Sequence, residues 1–129
     1  MENFKIREDL NDMVANIGFV HTKNRYGERN YCNVKLFNNV NIEFRDNDKV
    51  YELFQSYVAL GEKDFIKSRA LVEELKTDDM GEVTGTYICV KYELKDGTTI
   101  RLFPNSFNIS KTIDNYYKQF KLQQKVDKK

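Results

Sequence analysis

Two segments of this chain alternate apolar and polar residues, and they constrain its fold more than any other feature. In residues 31–45 the apolar side chains stand at every second position on either side of Phe37-Asn38-Asn39. Residues 86–103 repeat this pattern around Lys95-Asp96-Gly97. A period of two is that of a half-buried β-strand, so each segment predicts two antiparallel strands joined in a hairpin.

The spacing of the apolar residues also determines the length of each hairpin loop. Residues directly opposite each other in an antiparallel pair share one face of the sheet. A two-residue loop would set polar residues against apolar ones in both hairpins. A three-residue loop instead pairs Val34 with Ile42. In the second hairpin it pairs Tyr92 with Ile100. The last loop position must be left-handed, and the asparagine and glycine found there tolerate that conformation.

Apolar residues at helical spacing predict three amphipathic helices. These are residues 6–17, ended by Gly18; residues 50–58, capped by Asp46-Asn47-Asp48 and ended by Gly61; and residues 109–120, capped by Asn108 or Ser110. Asparagine, aspartate and serine are preferred caps because their side chains accept hydrogen bonds from the first free N–H groups of a helix.

The segment between the second helix and the second hairpin is ambiguous. Residues 65–75 fit either a strand or a helix, and we favour a strand because the following segment needs an antiparallel neighbour. The sequence shows no internal repeat. We therefore predict an α+β fold in the order α-β-β-α-β-β-β-α. Two hairpins, with about five strands in all, form one antiparallel sheet packed by about three helices. Residues 1–122 form one domain, and residues 123–129 form a frayed basic tail.

Residue types that carry chemistry are scarce in the sequence. It has one histidine, His21, in a polar stretch, and two distant cysteines, Cys32 and Cys89. Its acidic clusters are explained as helix caps and turns, and no glycine-rich phosphate loop is present. We expect no catalytic residue, no cofactor and no metal site. Two buried thiols are favoured over a disulfide, which stays an alternative, as does an enzyme that uses carboxylates and tyrosine.

Net charge and hydropathy indicate the cellular location that we expect for the chain. Its formal net charge is +1 across 129 residues, although residues 108–129 are distinctly basic. No apolar run approaches the roughly 18 residues of a membrane span, and the N-terminus is charged where a signal peptide would be apolar. We expect a cytoplasmic protein without a membrane partner. Its abundant Asn, Lys, Ile, Tyr and Phe are typical of AT-rich genomes, which suggests a phage or mobile-element accessory or inhibitor protein.

Basic and aromatic side chains gather at two places that we predict to bind a partner. The first is the stretch from His21 to Tyr31, interpreted as an exposed loop. The second is the outer face of the second hairpin. The predicted binding residues are Lys23, Arg25, Tyr26, Arg29, Tyr31, Tyr87, Lys91 and Arg101. Arginine and aromatic residues concentrate at the centres of protein interfaces, so the first hypothesis is a non-enzymatic protein that binds another protein. The alternative is a nucleic-acid-binding module that uses the loop and the lysine-rich C-terminal helix.

Overall fold

The chain forms two antiparallel sheets of three strands each, and an α-helix follows each sheet. The computed structural model describes residues 4–45, 47–61, 65–104 and 107–127. The strands are β1 (Val14–Asn24), β2 (Gly27–Leu36) and β3 (Asn41–Phe44) in the first sheet, and β4 (Ile66–Thr77), β5 (Val83–Leu94) and β6 (Thr99–Leu102) in the second. The helices are α1 (Asn47–Leu60) and α2 (Phe107–Asp127), and a short 3₁₀ helix (Leu10–Met13) precedes β1.

The two halves of the chain share one architecture although their sequences show no repeat. Each sheet keeps its three strands in chain order, and the third strand of each sheet is four residues long. Each half then continues into a helix. The alternating pattern and the loop type recur, and they are sufficient to build the same βββα unit twice from different side chains.

Both predicted three-residue hairpin loops are confirmed. Val34 lies opposite Ile42, and Tyr92 lies opposite Ile100. Asn39 has a φ of 66° and Gly97 a φ of 92°, so each loop ends in the left-handed conformation that this loop type requires.

The predicted helix over residues 6–17 is wrong. Only Leu10–Met13 is helical, as a 3₁₀ turn, and β1 begins at Val14. Leu10, Met13 and Ile17 are fully or almost fully buried, so the apolar positions were correctly identified as core but their period was misread. Gly18, predicted to end a helix, lies within β1 opposite Asn33. Pairing with β2, which no local pattern reports, decides the conformation of this segment.

The predicted loop over residues 21–31 is also wrong. β1 continues to Asn24 and β2 begins at Gly27, so only Arg25 and Tyr26 form the turn between them. Every residue from His21 to Arg29 is exposed. Because both faces of this part of the hairpin meet solvent, its side chains are polar on both faces, and the alternation that marks a half-buried strand is missing.

The remaining elements differ from the expectation in number and extent. The favoured strand in the ambiguous segment is confirmed as β4, but six strands in two sheets replace about five in one. The part of the chain that the structure describes contains two α-helices rather than three. Asn108 and Ser110 lie inside α2, which begins at Phe107 and extends to Asp127, so neither residue is its cap. Asp46, predicted to cap α1, lies outside the described residues.

One apolar core joins the two sheets. The ring of Phe19 on β1 stacks on Tyr92 of β5 with centroids 5.2 Å apart. The Tyr92 hydroxyl lies 3.4 Å from the Cys32 thiol of β2, within a core to which α1 adds Leu53 and α2 adds Ile113. Tyr92, which the alternating pattern places on the apolar face of its strand, belongs to this core, and Tyr116 and Phe120 of α2 pack against it. Tyr57, which lies on the apolar stripe of the helix predicted over residues 50–58, is instead exposed.

Candidate functional site

The turn of the β1–β2 hairpin presents an arginine and a tyrosine as one unit. The Asn24 side-chain oxygen accepts a hydrogen bond from the Tyr26 main-chain N–H at 2.8 Å, which fixes the turn. The Arg25 guanidinium donates to the Tyr26 hydroxyl at 2.8 Å and lies 4.9 Å from the centroid of its ring. Tyr26 is nevertheless 81% exposed. The hairpin therefore holds a large aromatic side chain in solvent in a defined position.

Helix α1 runs beside this hairpin and leaves apolar side chains uncovered. The His21 ring of β1 stacks on Phe54 with centroids 4.5 Å apart, which holds the helix against the hairpin. Tyr51 and Val58 lie on the same stripe of the helix as Phe54, one turn before it and one turn after it. Tyr51 is 56% exposed and Val58 is 65% exposed. We call Arg25, Tyr26, Tyr51, Phe54 and Val58 the hairpin–helix surface.

A cluster around Glu43 occupies the outer face of the first sheet. Arg29 donates to Glu43 Oε2 at 3.2 Å, and Arg45 donates to the same oxygen through Nε at 2.8 Å. Both guanidinium groups also lie over the Tyr31 ring, at 5.3 and 6.0 Å from its centroid. Two cations share one carboxylate, so the Glu43 cluster carries a net positive charge. Nearby, Lys23 is paired with Glu28 at 3.6 Å.

Three of the predicted binding residues, Tyr87, Lys91 and Arg101, lie on the second sheet and converge on one carboxylate. Glu74 of β4 accepts a hydrogen bond from Arg101 Nε at 2.6 Å and from the Tyr87 hydroxyl at 3.0 Å, and Lys91 lies 3.8 Å away. The hydrogen bond from Arg101 is the main cause that lowers the pKa of Glu74, although partial burial opposes it. Burial, followed by the charge of Glu74, raises the pKa of the fully buried Cys89 thiol to about 12. Two cations share this carboxylate as well, so the Glu74 cluster also carries a net positive charge, and Glu74 is only partly buried.

The structure thus sorts the predicted binding residues into two groups. Lys23, Arg25, Tyr26, Arg29 and Tyr31 share the β1–β2 hairpin, whereas Tyr87, Lys91 and Arg101 surround Glu74 on the second sheet. Sequence reasoning missed Tyr51 and Val58. Val58 was placed on the core stripe of its helix, and Tyr51 follows the buried Val50 directly. The one available signal was that apolar residues cover more of α1 than a single buried face needs.

A cavity of about 640 Å³ lies between β4, β5 and α2. It contains the buried Glu73, whose carboxylate is held by Arg7, and Asp114, which lies 2.7 Å from Arg7 Nη1. Burial acts to raise the pKa of Glu73, but the hydrogen bonds and charge of Arg7 outweigh it and lower that pKa. Glu73 is therefore held as a carboxylate.

In residues 4–45, 47–61, 65–104 and 107–127, no three His, Cys, Asp or Glu side chains are grouped to hold a metal ion. Neither described helix has the apolar length that crossing a bilayer requires. No protein-family model, no curated protein and no solved structure matches the chain.

Proposed function

We propose that this chain is a small non-enzymatic protein that binds another protein through the hairpin–helix surface. The observation that carries the proposal is that Tyr26 is 81% exposed yet held by Arg25. It lies at the end of a hairpin that is packed against the uncovered apolar stripe of α1. Tyrosine and arginine are enriched among the residues that dominate binding energy at protein interfaces.

The apolar side chains of α1 support the same conclusion. Val50 and Leu53 are buried on one side of the helix, and Tyr51 and Val58 are exposed on another. A helix that is apolar over most of its circumference is normally covered on most of it. Exposed Leu60 at the end of α1 extends the apolar area. Contiguous exposed apolar residues typically mark interaction sites, so a partner surface that covers this side of α1 is the simplest explanation.

The Arg25–Tyr26 pair lowers the cost of such an interaction. Each side chain restricts the other through a hydrogen bond and a ring contact before any partner arrives. Ordering a free side chain at an interface costs about 0.5–1.5 kcal/mol, and a preformed pair avoids part of that cost.

Protein binding is better supported than nucleic-acid binding by the pairing of the cations. Lys23 is paired with Glu28, Arg29 and Arg45 are paired with Glu43, and Arg25 bonds to Tyr26. Binding phosphate would require these contacts to be exchanged for new ones. Proteins that bind single-stranded nucleic acid typically present a continuous basic groove. On the first sheet of this protein, the carboxylates of Glu28 and Glu43 interrupt the row of cations.

A catalytic role is less well supported than protein binding, because the partly or fully buried carboxylates Glu73 and Glu74 have the wrong pKa shift for acid catalysis. A general acid that works near neutral pH needs a raised pKa, as burial away from cations produces. The pKa of Glu73 and that of Glu74 are instead lowered by Arg7 and Arg101. These carboxylates stabilise the fold through ion pairs, and they are poorly suited to donate protons.

Photo-crosslinking in cells of the source organism tests the proposal. The photoreactive residue p-benzoylphenylalanine is placed at Tyr26 and, separately, at Val58. The matched control position is Met80, which is 86% exposed in the turn between β4 and β5. We expect the same protein to be crosslinked from Tyr26 and from Val58 but not from Met80. Adducts that disappear on nuclease treatment, or equal crosslinking from all three positions, would contradict the proposal.

A further inference from the structure

Strand β3 is an edge of the first sheet, and its outward main-chain groups can be identified from the register. Opposed residues in an antiparallel pair alternate between hydrogen-bonded and non-bonded pairs. The Leu36 N–H donates to the Val40 carbonyl at 2.9 Å, so Val40 and, two residues on, Ile42 turn their main-chain groups toward β2. Asn41 and Glu43 turn theirs away from the sheet.

These outward groups have no partner in the described part of the chain. Among residues 4–45, 47–61, 65–104 and 107–127, no main-chain hydrogen bond from another element reaches Asn41 or Glu43. An uncovered edge of this kind is a template for pairing with another strand. The edge has no proline within Asn41–Phe44, so each of its outward N–H groups is available as a donor.

A groove runs along the edge. It has a volume of about 380 Å³ and separates β3 from the first turns of α2. Ile109 and Thr112 line it from the helix, and five residues line it from the edge strand: Val40 and Ile42 on the core side, and Asn41, Glu43 and Arg45 on the outer side. A strand added beside β3 would direct the side chain opposite Ile42 into the core side of this groove, because opposed residues share a face. Ile42 and Ile109 favour an apolar side chain there.

The other face of the edge favours an acidic residue. Glu43 and Arg45 lie on the outer face, where the carboxylate of Glu43 is shared by two guanidinium groups. The residue of an added strand opposite Glu43 would lie beside the Glu43 carboxylate itself, and like charges directly opposite each other are destabilising. The residue two positions further along, opposite Arg45, shares this outer face, and a carboxylate there would balance the positive charge of the Glu43 cluster.

We propose that the β3 edge binds an extended peptide segment of a partner protein by β-strand addition. The segment runs antiparallel to β3, pairs its main chain with Asn41 and Glu43, places an apolar side chain opposite Ile42 in the groove, and carries an acidic residue three positions before it that faces Arg45. Main-chain hydrogen bonds provide affinity in this mode of recognition, and alternate side chains provide specificity. Arg45 borders Tyr51 of the hairpin–helix surface, but the two sites share no residue, so either proposal can fail without the other.

Selection from a displayed library of random dodecapeptides tests the proposal. The baits are the wild-type protein and the Asn41→Pro and Asn41→Ala variants. Proline removes the outward N–H without removing a bond to β2, and edge strands tolerate it. Alanine keeps the N–H and removes only the side chain, including its hydrogen bond from Asn33. We expect peptides with an acidic residue three positions before an apolar residue to be enriched on the wild type and on Asn41→Ala, and not on Asn41→Pro.

A second variant and a modified peptide keep the result independent of folding. Thr112→Trp fills the groove from α2 and leaves β3 intact, and it should abolish enrichment as Asn41→Pro does. N-methylation of a selected peptide at the residue directly before its apolar residue removes a hydrogen bond to Glu43 and should weaken binding about tenfold. N-methylation at the apolar residue, whose N–H points away from β3, should change the affinity little.

Three outcomes would overturn the inference. The first is enrichment that is the same on Asn41→Pro as on Asn41→Ala while both variants remain folded. The second is the absence of any enrichment on the wild type. The third is a concentration-dependent dimer of the wild type that Asn41→Pro dissociates, because the edge would then pair with a second copy of the chain. Tyr26→Ala should leave the affinity of a selected peptide unchanged, which separates this site from the hairpin–helix surface.

Discussion

Arg7 binds both carboxylate oxygens of Glu73, although 66 residues separate them in the chain. Its Nε donates to Oε1 and its Nη2 donates to Oε2, each at 2.9 Å, and its main-chain N–H donates to Oε1 at 2.8 Å. Arg7 also lies 2.7 Å from Asp114 of α2 and packs over the ring of Tyr117. The N-terminal segment, β4 and α2 are therefore joined through one side chain.

The first prediction concerns this ion pair. Arg7→Met should lower the free energy of unfolding by about 3 kcal/mol, because it leaves the buried Glu73 carboxylate without its cation. The control is Lys23→Met, which breaks an ion pair in solvent and should cost less than about 1 kcal/mol. Urea unfolding of both variants measures the difference. Equal costs for the two variants would show that the Arg7–Glu73 pair contributes no more than a surface pair.

The second prediction concerns acid stability. The folded-state pKa of Glu73 lies below its unfolded value, so its contribution to stability is present above the unfolded pKa, near about 4.3. This contribution is lost as the pH falls through the folded pKa. Urea midpoints of the wild type should therefore fall steeply below about pH 5, and those of Glu73→Gln should fall less steeply. Identical slopes for the two proteins would contradict the role assigned to Glu73.

The third prediction concerns the two thiols. Cys32 and Cys89 are free and buried, and burial is the main cause that raises the pKa of Cys32 to about 11 and that of Cys89 to about 12. The thiolate is the reactive form. At about pH 8, close to the ordinary thiol pKa, neither thiol of the folded protein should react with Ellman's reagent within minutes, and both should react in urea. Rapid reaction of the folded protein would contradict the burial of the two side chains.

The fourth prediction concerns the loop between β5 and β6. Gly97→Ala forces a side chain into a left-handed position and should cost about 1–2 kcal/mol. Gly97→Asn should cost less, because asparagine tolerates that conformation, as Asn39 does in the matching loop. Gly85→Ala is the control, since a Cβ at Gly85 meets no atom within 4 Å and its φ is not left-handed. Thermal unfolding should show the largest drop in melting temperature for Gly97→Ala, a smaller drop for Gly97→Asn and the smallest for Gly85→Ala.

The features that could be predicted from the sequence are those fixed by neighbouring residues. The two three-residue loops follow from the alternation on each side of them, and Asn39 and Gly97 supply the conformation that the loops need. The outer part of the β1–β2 hairpin could not be predicted, because both of its faces are exposed and its strands carry no alternation. The misread segment before it takes its conformation from pairing with β2, which lies beyond any local pattern.

Only part of the candidate site could be predicted from the sequence. Tyr26 and Arg25 were identified as binding residues because basic and aromatic residue types cluster around them, and that signal does not depend on secondary structure. Tyr51 and Val58 were missed because an apolar residue at helical spacing is normally assigned to the core. Only the structure, in which His21 covers Phe54 but leaves Tyr51 and Val58 exposed, reveals that most of this stripe is uncovered.

The most direct test of protein binding is the affinity of the crosslinked partner for three purified variants. Tyr26→Ala and Val58→Glu alter the hairpin–helix surface, and Met80→Ala alters an exposed side chain in the turn between β4 and β5. We expect isothermal titration calorimetry to show at least about a tenfold loss of affinity for the first two variants and no change for Met80→Ala. Wild-type affinity in both Tyr26→Ala and Val58→Glu would contradict the assignment of this surface as the binding site.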